Sequence, residues 1–113
     1  MSELSQEEAT RLLNEGALLL IHDVPEGTEF GIDYNSWNVG PLFRGVKMIP
    51  AGFHFIYYSA VSKTGDTAPR TGLFCNFKPA EVVVMRWNSE TEEILESDVS
   101  NEEKQRYREG NYM

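Results

Sequence analysis

The sequence holds one cysteine, Cys75, in 113 residues, so no internal disulfide can form and the fold must rest on burial and hydrogen bonding. It also has no apolar run long enough to cross a bilayer as a helix, and no basic segment precedes one in the manner of a secretory leader. Together with the sparse cysteine, these absences lead us to expect a soluble, intracellular chain with no membrane partner. Neither a GxxxxGK phosphate loop nor a GxGxxG fingerprint occurs, which removes the common nucleotide-binding signatures. Histidine is scarce too: His22 and His54 are the only two, and with Cys75 they lack the short-range ligand pair of a zinc site. No metal and no cofactor is expected.

Excess positive charge is also missing. The net charge is -8, from 18 acids and 10 bases, and it is unevenly spread. Residues 1–26 hold six acids and one base, residues 27–88 four acids and six bases, and residues 89–113 eight acids and three bases. Six scattered bases make no patch, so direct nucleic-acid binding is not expected, because phosphate contact rests on concentrated Lys and Arg.

What is present is aromatic. Two tryptophans, five tyrosines and six phenylalanines within 41% apolar residues argue for one folded domain and against disorder. The segment Gly27 to Pro50, GTEFGIDYNSWNVGPLFRGVKMIP, packs four glycines, two prolines and four aromatics without a regular period. Glycine permits and proline fixes unusual backbone angles, so this reads as a series of turns carrying Phe30, Tyr34, Trp37 and Phe43. Large rings held by turns suit either a lid over the core or a contact surface.

Along the chain, Ser5 and Glu8 form a capping box, with Leu4 and Ala9 at the staple positions, and predict a helix from Gln6 that Gly16 stops. Its Leu12 and Leu13 must dock on a sheet, since so short a helix cannot stand alone. Ala17 to His22 reads as a buried strand. Thr28 to Ile32 is expected to pair back on it as a hairpin, and Gly45 to Ile49 is a further short strand. Phe53 to Val61 alternates, with Phe53, Phe55, Tyr57 and Ser59 on one face and His54, Ile56, Tyr58 and Ala60 on the other. Ser62 to Arg70 reads as a mobile surface loop. Thr71 to Phe77 and Val82 to Trp87 are two strands across a four-residue link suited to a hairpin, the second covered on both faces and with Arg86 near its edge. Glu92 to Ser97 reads as a last strand. Ser100 and Glu103 then cap a second helix toward Arg108, with only Val99 and Tyr107 as apolar anchors, so it reads as cut off or docked on a missing neighbour. Gly110 to Met113 need not be ordered. The expected architecture is α+β, mainly β: a β-sandwich or partly open barrel of short strands with an N-terminal helix docked on it. Residues 1–97 form the β-rich domain, and 98–113 an acidic helical tail.

For chemistry the residues offer little. Cys75 sits mid-strand with only Lys78 to lower its pKa, which favours an inert thiol. Asp23 and Asp33 match no acid or base motif, and Asp33 reads as a turn residue accepting from backbone amides. A small ligand-binding or enzymatic β-barrel using His54, Tyr34 and Cys75 is the alternative reading. Protein binding is the main one; within it Trp37, with Tyr34, Asn35 and the nearby Arg44, reads either as a lid over the core, as aromatics in glycine-rich segments most often are, or as an anchor for a partner, because Trp, Tyr and Arg dominate interface hot spots.

The runs GTEFGIDYNSWNVGP, FRGVKMIP, GFHFIYYSAV and VVVMRW, in that order and spacing, resemble the N-terminal domain of the Aar-two family of splicing factors, over most of residues 10–97. The resemblance implies a non-catalytic assembly factor. Such a factor binds the Prp-eight protein at its RNase H-like and Jab/MPN domains during biogenesis of the U-five small nuclear ribonucleoprotein, in cytoplasm and nucleus. It also implies that the tail begins a linker to a helical C-terminal domain that this sequence does not contain. It supplies no catalytic residues; Tyr34, Asn35, Trp37, Arg44 and Lys47 are carried over as shaping the domain or meeting that partner.

Overall fold

Five consecutive apolar residues, Ala17 to Ile21, are each at most 6% exposed in the strand β1 (Ala17–His22). A strand so apolar on both faces belongs in the middle of a sheet with a layer on either side, and the computed structural model, which describes residues 5–61 and 69–110, places it there. The staple residue Leu4, most of the loop from Ser62 and the last three residues lie outside the described part.

The remaining elements in chain order are β2 (Glu29–Ile32), β3 (Asn35–Asn38), β4 (Gly45–Ile49), β5 (Gly52–Ser59), β6 (Thr71–Phe77), β7 (Val82–Asn88) and β8 (Glu93–Glu96). Helices α1 (Gln6–Glu15) and α2 (Asn101–Arg108) flank them. One sheet has the order β4-β1-β7-β8 and the other β3-β2-β5-β6. Every described pairing is antiparallel except β1 with β7, which runs parallel from Leu18 opposite Val82 to His22 opposite Arg86. The two sheets form a sandwich, not a closed barrel.

Between the sheets lie Leu19 and Ile21 of β1, Phe30 of β2, Ile56 and Tyr58 of β5, Phe77 of β6, Met85 and Trp87 of β7, and Ile94 of β8. Tyr58 ties the layers polarly as well, accepting from the buried Ile94 N–H at 3.0 Å while its ring meets Trp87 edge-on. A bond buried between sheets strengthens with the low local dielectric and fixes their mutual position.

Both helices begin as their capping boxes require, with Ser5 Oγ accepting from the Glu8 N–H and Ser100 Oγ from the Glu103 N–H, each at 3.1 Å. Helix α2 finds its neighbour within the chain: Val99 and Tyr107 cover Leu18, Leu20, Val82 and Val84 on the outer face of the first sheet. Helix α1 buries no residue and is held at its C-terminal end. There the Ala80 N–H donates to the Glu15 carbonyl, and the Arg108 guanidinium to the carbonyls of Asn14 and Gly16. A cation on orphan C-terminal carbonyls also complements the helix dipole.

Three local expectations change. β2 does not return onto β1, whose two sides are taken by β4 and β7; it crosses to the other sheet and pairs with β3 and β5. The link Lys78–Glu81 closes no hairpin. It carries the chain from β6 in one sheet to β7 in the other, with Ala80 at φ 57° and the Glu81 carboxylate accepting from the Lys78 N–H. The third change is a gain: Asn35–Asn38, within the turn-rich stretch, is the edge strand β3.

Candidate protein-binding surfaces

The β2–β3 hairpin turns on two residues, Asp33 and Tyr34, with Ile32 opposite Asn35. Asp33 takes the left-handed conformation, at φ 53°, and its carboxylate does the bonding expected of a turn residue. One oxygen accepts from the Phe55 N–H at 3.0 Å and the other bonds His54 Nδ1 at 2.6 Å. The second imidazole nitrogen, Nε2, lies 2.7 Å from the Pro50 carbonyl. Both ring nitrogens thus face acceptors, an arrangement that favours the imidazolium. Burial alone pulls the His54 pKa down, but the bonds to Asp33 and Pro50 more than offset it and leave it above the ordinary histidine value. The His54 bond holds the Asp33 carboxyl below the usual carboxylate range. This pair is a latch between hairpin and β5.

Above the latch, the outer face of the second sheet is aromatic. Phe53 and Phe74 are each 75% exposed and Phe55 37%. Phe55 sits opposite Phe74 with ring centroids 5.0 Å apart, and stacks on Tyr57 at 5.8 Å. The flat packing needs two glycines. A Cβ at Gly31 would fall 2.1 Å from the Tyr57 ring, and one at Gly72 2.3 Å from the Phe55 ring. Rings laid across bare backbone give a broad apolar floor from which Phe53 and Phe74 project. Arg70, paired with Glu29 at 2.7 Å, stands 5.8 Å over the Tyr57 ring and closes one side. Contiguous exposed apolar area of this kind is a common feature of interaction surfaces.

The residues singled out in the sequence do not form one cluster. Tyr34 and Asn35 lie exposed at the hairpin tip, with the Asn35 carbonyl 3.5 Å from the Tyr57 hydroxyl. Trp37 is 36% exposed and packs on Phe30 and Phe43, at 5.6 and 6.5 Å, as a lid over that core edge. Arg44 and Lys47 are exposed on the other sheet, at and beside its edge strand β4.

Of the alternative trio, His54 and Cys75 are cross-strand partners whose side chains face the core, while Tyr34 extends fully into solvent. Burial first, then Glu96 and Glu81, push the Cys75 thiol up, away from the reactive thiolate. Asp23 and Asp33 are separated too, Asp23 being paired with Arg86 at 2.6 Å on the first sheet. Among the described residues no cluster of three or more His, Cys, Asp or Glu stands close enough to hold a metal ion.

A family model described as the AAR2 N-terminal domain matches residues 15–112. The chain belongs to the AAR2 family. The mouse relative, named Protein AAR2 homolog, is 52% identical over 94 residues, covering 81% of this chain and 24% of its own length. The human relative of the same name is 50% identical over 94 residues, and that of Caenorhabditis elegans 45% over 92, with the same shares covered. The chain therefore spans about a quarter of the length of the curated relatives it matches. Within this AAR2-family chain the match takes in all eight described strands and α2, and hence both faces of the sandwich. No catalytic family is indicated by these matches.

The four outer-face rings Phe53, Phe55, Tyr57 and Phe74 were not selected in the sequence. The alternation over 53–60 separates the three of them in β5 from the core face, but both faces carry large apolar side chains there, so it does not say which one stays open.

Proposed function

We propose that this chain is a non-catalytic protein-binding module of a spliceosome assembly factor. In this reading it works in cytoplasm and nucleus on biogenesis of the U-five small nuclear ribonucleoprotein, through the RNase H-like and Jab/MPN domains of Prp-eight. Membership of the AAR2 family supports the assignment, and the open aromatic face of Phe53, Phe55 and Phe74 is the observation that carries the binding role. That face offers apolar area and ring planes for a partner to cover. Anchoring rings clustered on a rigid element are what hot spots are made of. The unpaired outer side of an edge strand is a further resource for an extended partner segment.

Titration of the separate Prp-eight domains into the isotopically labelled chain, followed residue by residue in chemical shift, tests the reading. Shifts centred on Phe53, Phe55 and Phe74, lost in a Phe53→Glu/Phe74→Glu variant that still folds, support it. A folded chain whose spectrum neither domain perturbs sinks it.

A further inference from the structure

Arg44 and Lys47 are the puzzle of the first sheet. In a chain of net charge -8 they are two cations beside one strand, and among the described residues neither has an ion pair. Among the described residues the Arg44 guanidinium bonds the carbonyl of its neighbour Phe43, at 3.0 Å. They border a groove of about 300 Å³ on the outer side of the sheet, floored by Leu18 and Leu20 and closed at one end by Leu42, which is 83% exposed. A second hollow of about 200 Å³ shares Leu18 and Lys47 with the first and continues past Met48 to Leu12 and Leu13 of α1. The two make one trough alongside β4, with exposed leucines at both ends and Lys47 between them.

β4 is also the outermost strand of its sheet, so the N–H and C=O groups on its far side pair with no other described strand. An edge with free backbone groups is a template for a further strand. We propose that the β4 edge and its trough bind an extended acidic segment of a partner protein that also carries apolar residues. This rests on the reading of the chain as a protein-binding module, but uses a different surface from the aromatic face.

The charges choose the occupant. Carboxylates of the segment meet Arg44 and Lys47, and apolar side chains on its trough side lie toward Leu42 and Leu13. A second copy pairing edge to edge brings the same cations together, which costs free energy. Met48 at φ 61° and the register shift against β1 interrupt the ladder, so residues 45–47 give room for roughly 10 Å of regularly paired added chain at about 3.3 Å per residue.

The probe is a fluorescein-labelled octapeptide with the repeat Glu-Glu-Leu-Leu, which puts both residue types on each face of a strand, with the corresponding lysine–leucine peptide as control, read by fluorescence anisotropy on the 113-residue chain. We expect the acidic peptide alone to bind, more weakly as salt rises, and to move the amide shifts of Gly45–Ile49. Arg44→Glu/Lys47→Glu, both exposed and outside the core, leaves the circular dichroism spectrum unchanged and weakens binding by about tenfold or more. Equal binding of the lysine peptide, no loss in the double variant, shifts centred on β8 or on the aromatic face, or dimerisation through β4 in place of peptide binding overturns the proposal. Phe53→Glu/Phe74→Glu separates the two readings: it is expected to abolish Prp-eight shifts and leave acidic-peptide binding intact, so either can fail alone.

Discussion

The two outer faces of this sandwich are both apolar, and the chain treats them differently. On the first sheet, Leu18, Leu20, Val82 and Val84 are each no more than 6% exposed, because α2 lays Val99 and Tyr107 across them. On the second, Phe53 and Phe74 keep three-quarters of their surface in water. Aliphatic side chains on the first face need a cover to contribute to stability. Aromatic ones on the second lie across Gly31 and Gly72 and form an ordered platform without one. The difference separates a face that is covered to hold the fold together, with open hollows only along its β4 border, from a face left open across its width.

The contrast is sharpest in stability. Leu20→Ala, by opening a cavity under α2, is expected to cost about 3 kcal/mol in urea unfolding, within the usual range for a buried leucine. Tyr107→Ala removes the cover while sparing the floor, with an expected loss of about 1–2 kcal/mol in the same measurement. Phe74→Ser on the other face should change stability by no more than about 0.5 kcal/mol, while lowering the fluorescence of a bound hydrophobic dye. A loss at Phe74 as large as at Leu20 erases the distinction between the faces.

The smallest expected effect is a pH dependence belonging to the second face alone, through the His54–Asp33 latch beneath it. The raised His54 value makes its contribution complete below the unfolded histidine pKa of about 6.5 and lost as pH rises through the folded value. The lowered Asp33 value makes its contribution complete above the unfolded carboxylate pKa of about 3.9 and lost as pH falls through the folded one. The latch is thus strongest between about pH 4 and 6.5. Thermal melts of the chain and of His54→Leu should differ most in that window and converge in mild alkali; a gap of constant size shows that the imidazole acts by packing alone.

Local chemistry was readable in the sequence where a single short-range rule decides. Ser5 and Ser100 with a glutamate three residues on gave both helix starts, and the runs 17–22, 45–49 and 71–77 gave strands with the observed bounds. Pairing was not, because it depends on which edges remain free. Nothing near Thr28 says that both sides of Ala17–His22 are already taken, and nothing near Lys78 says that Val82 must join a strand sixty-four positions earlier, opposite Leu18. The site was half legible. Arg44 and Lys47 stand out as cations within a turn-rich stretch, and Asp33 as a turn residue. The platform instead depends on Gly31 and Gly72 lying under rings from β5, a cross-strand match visible only once the register is set.

The register of β1 also governs the birth of the molecule. Its neighbours β4 and β7 are both made after it, so the greasy run Ala17 to Ile21 leaves the ribosome with nothing to zip against until residue 45, and keeps one flank bare until residue 82. An apolar run without its partner strands is open to aggregation, and in this chain that interval closes only when β7 has been made.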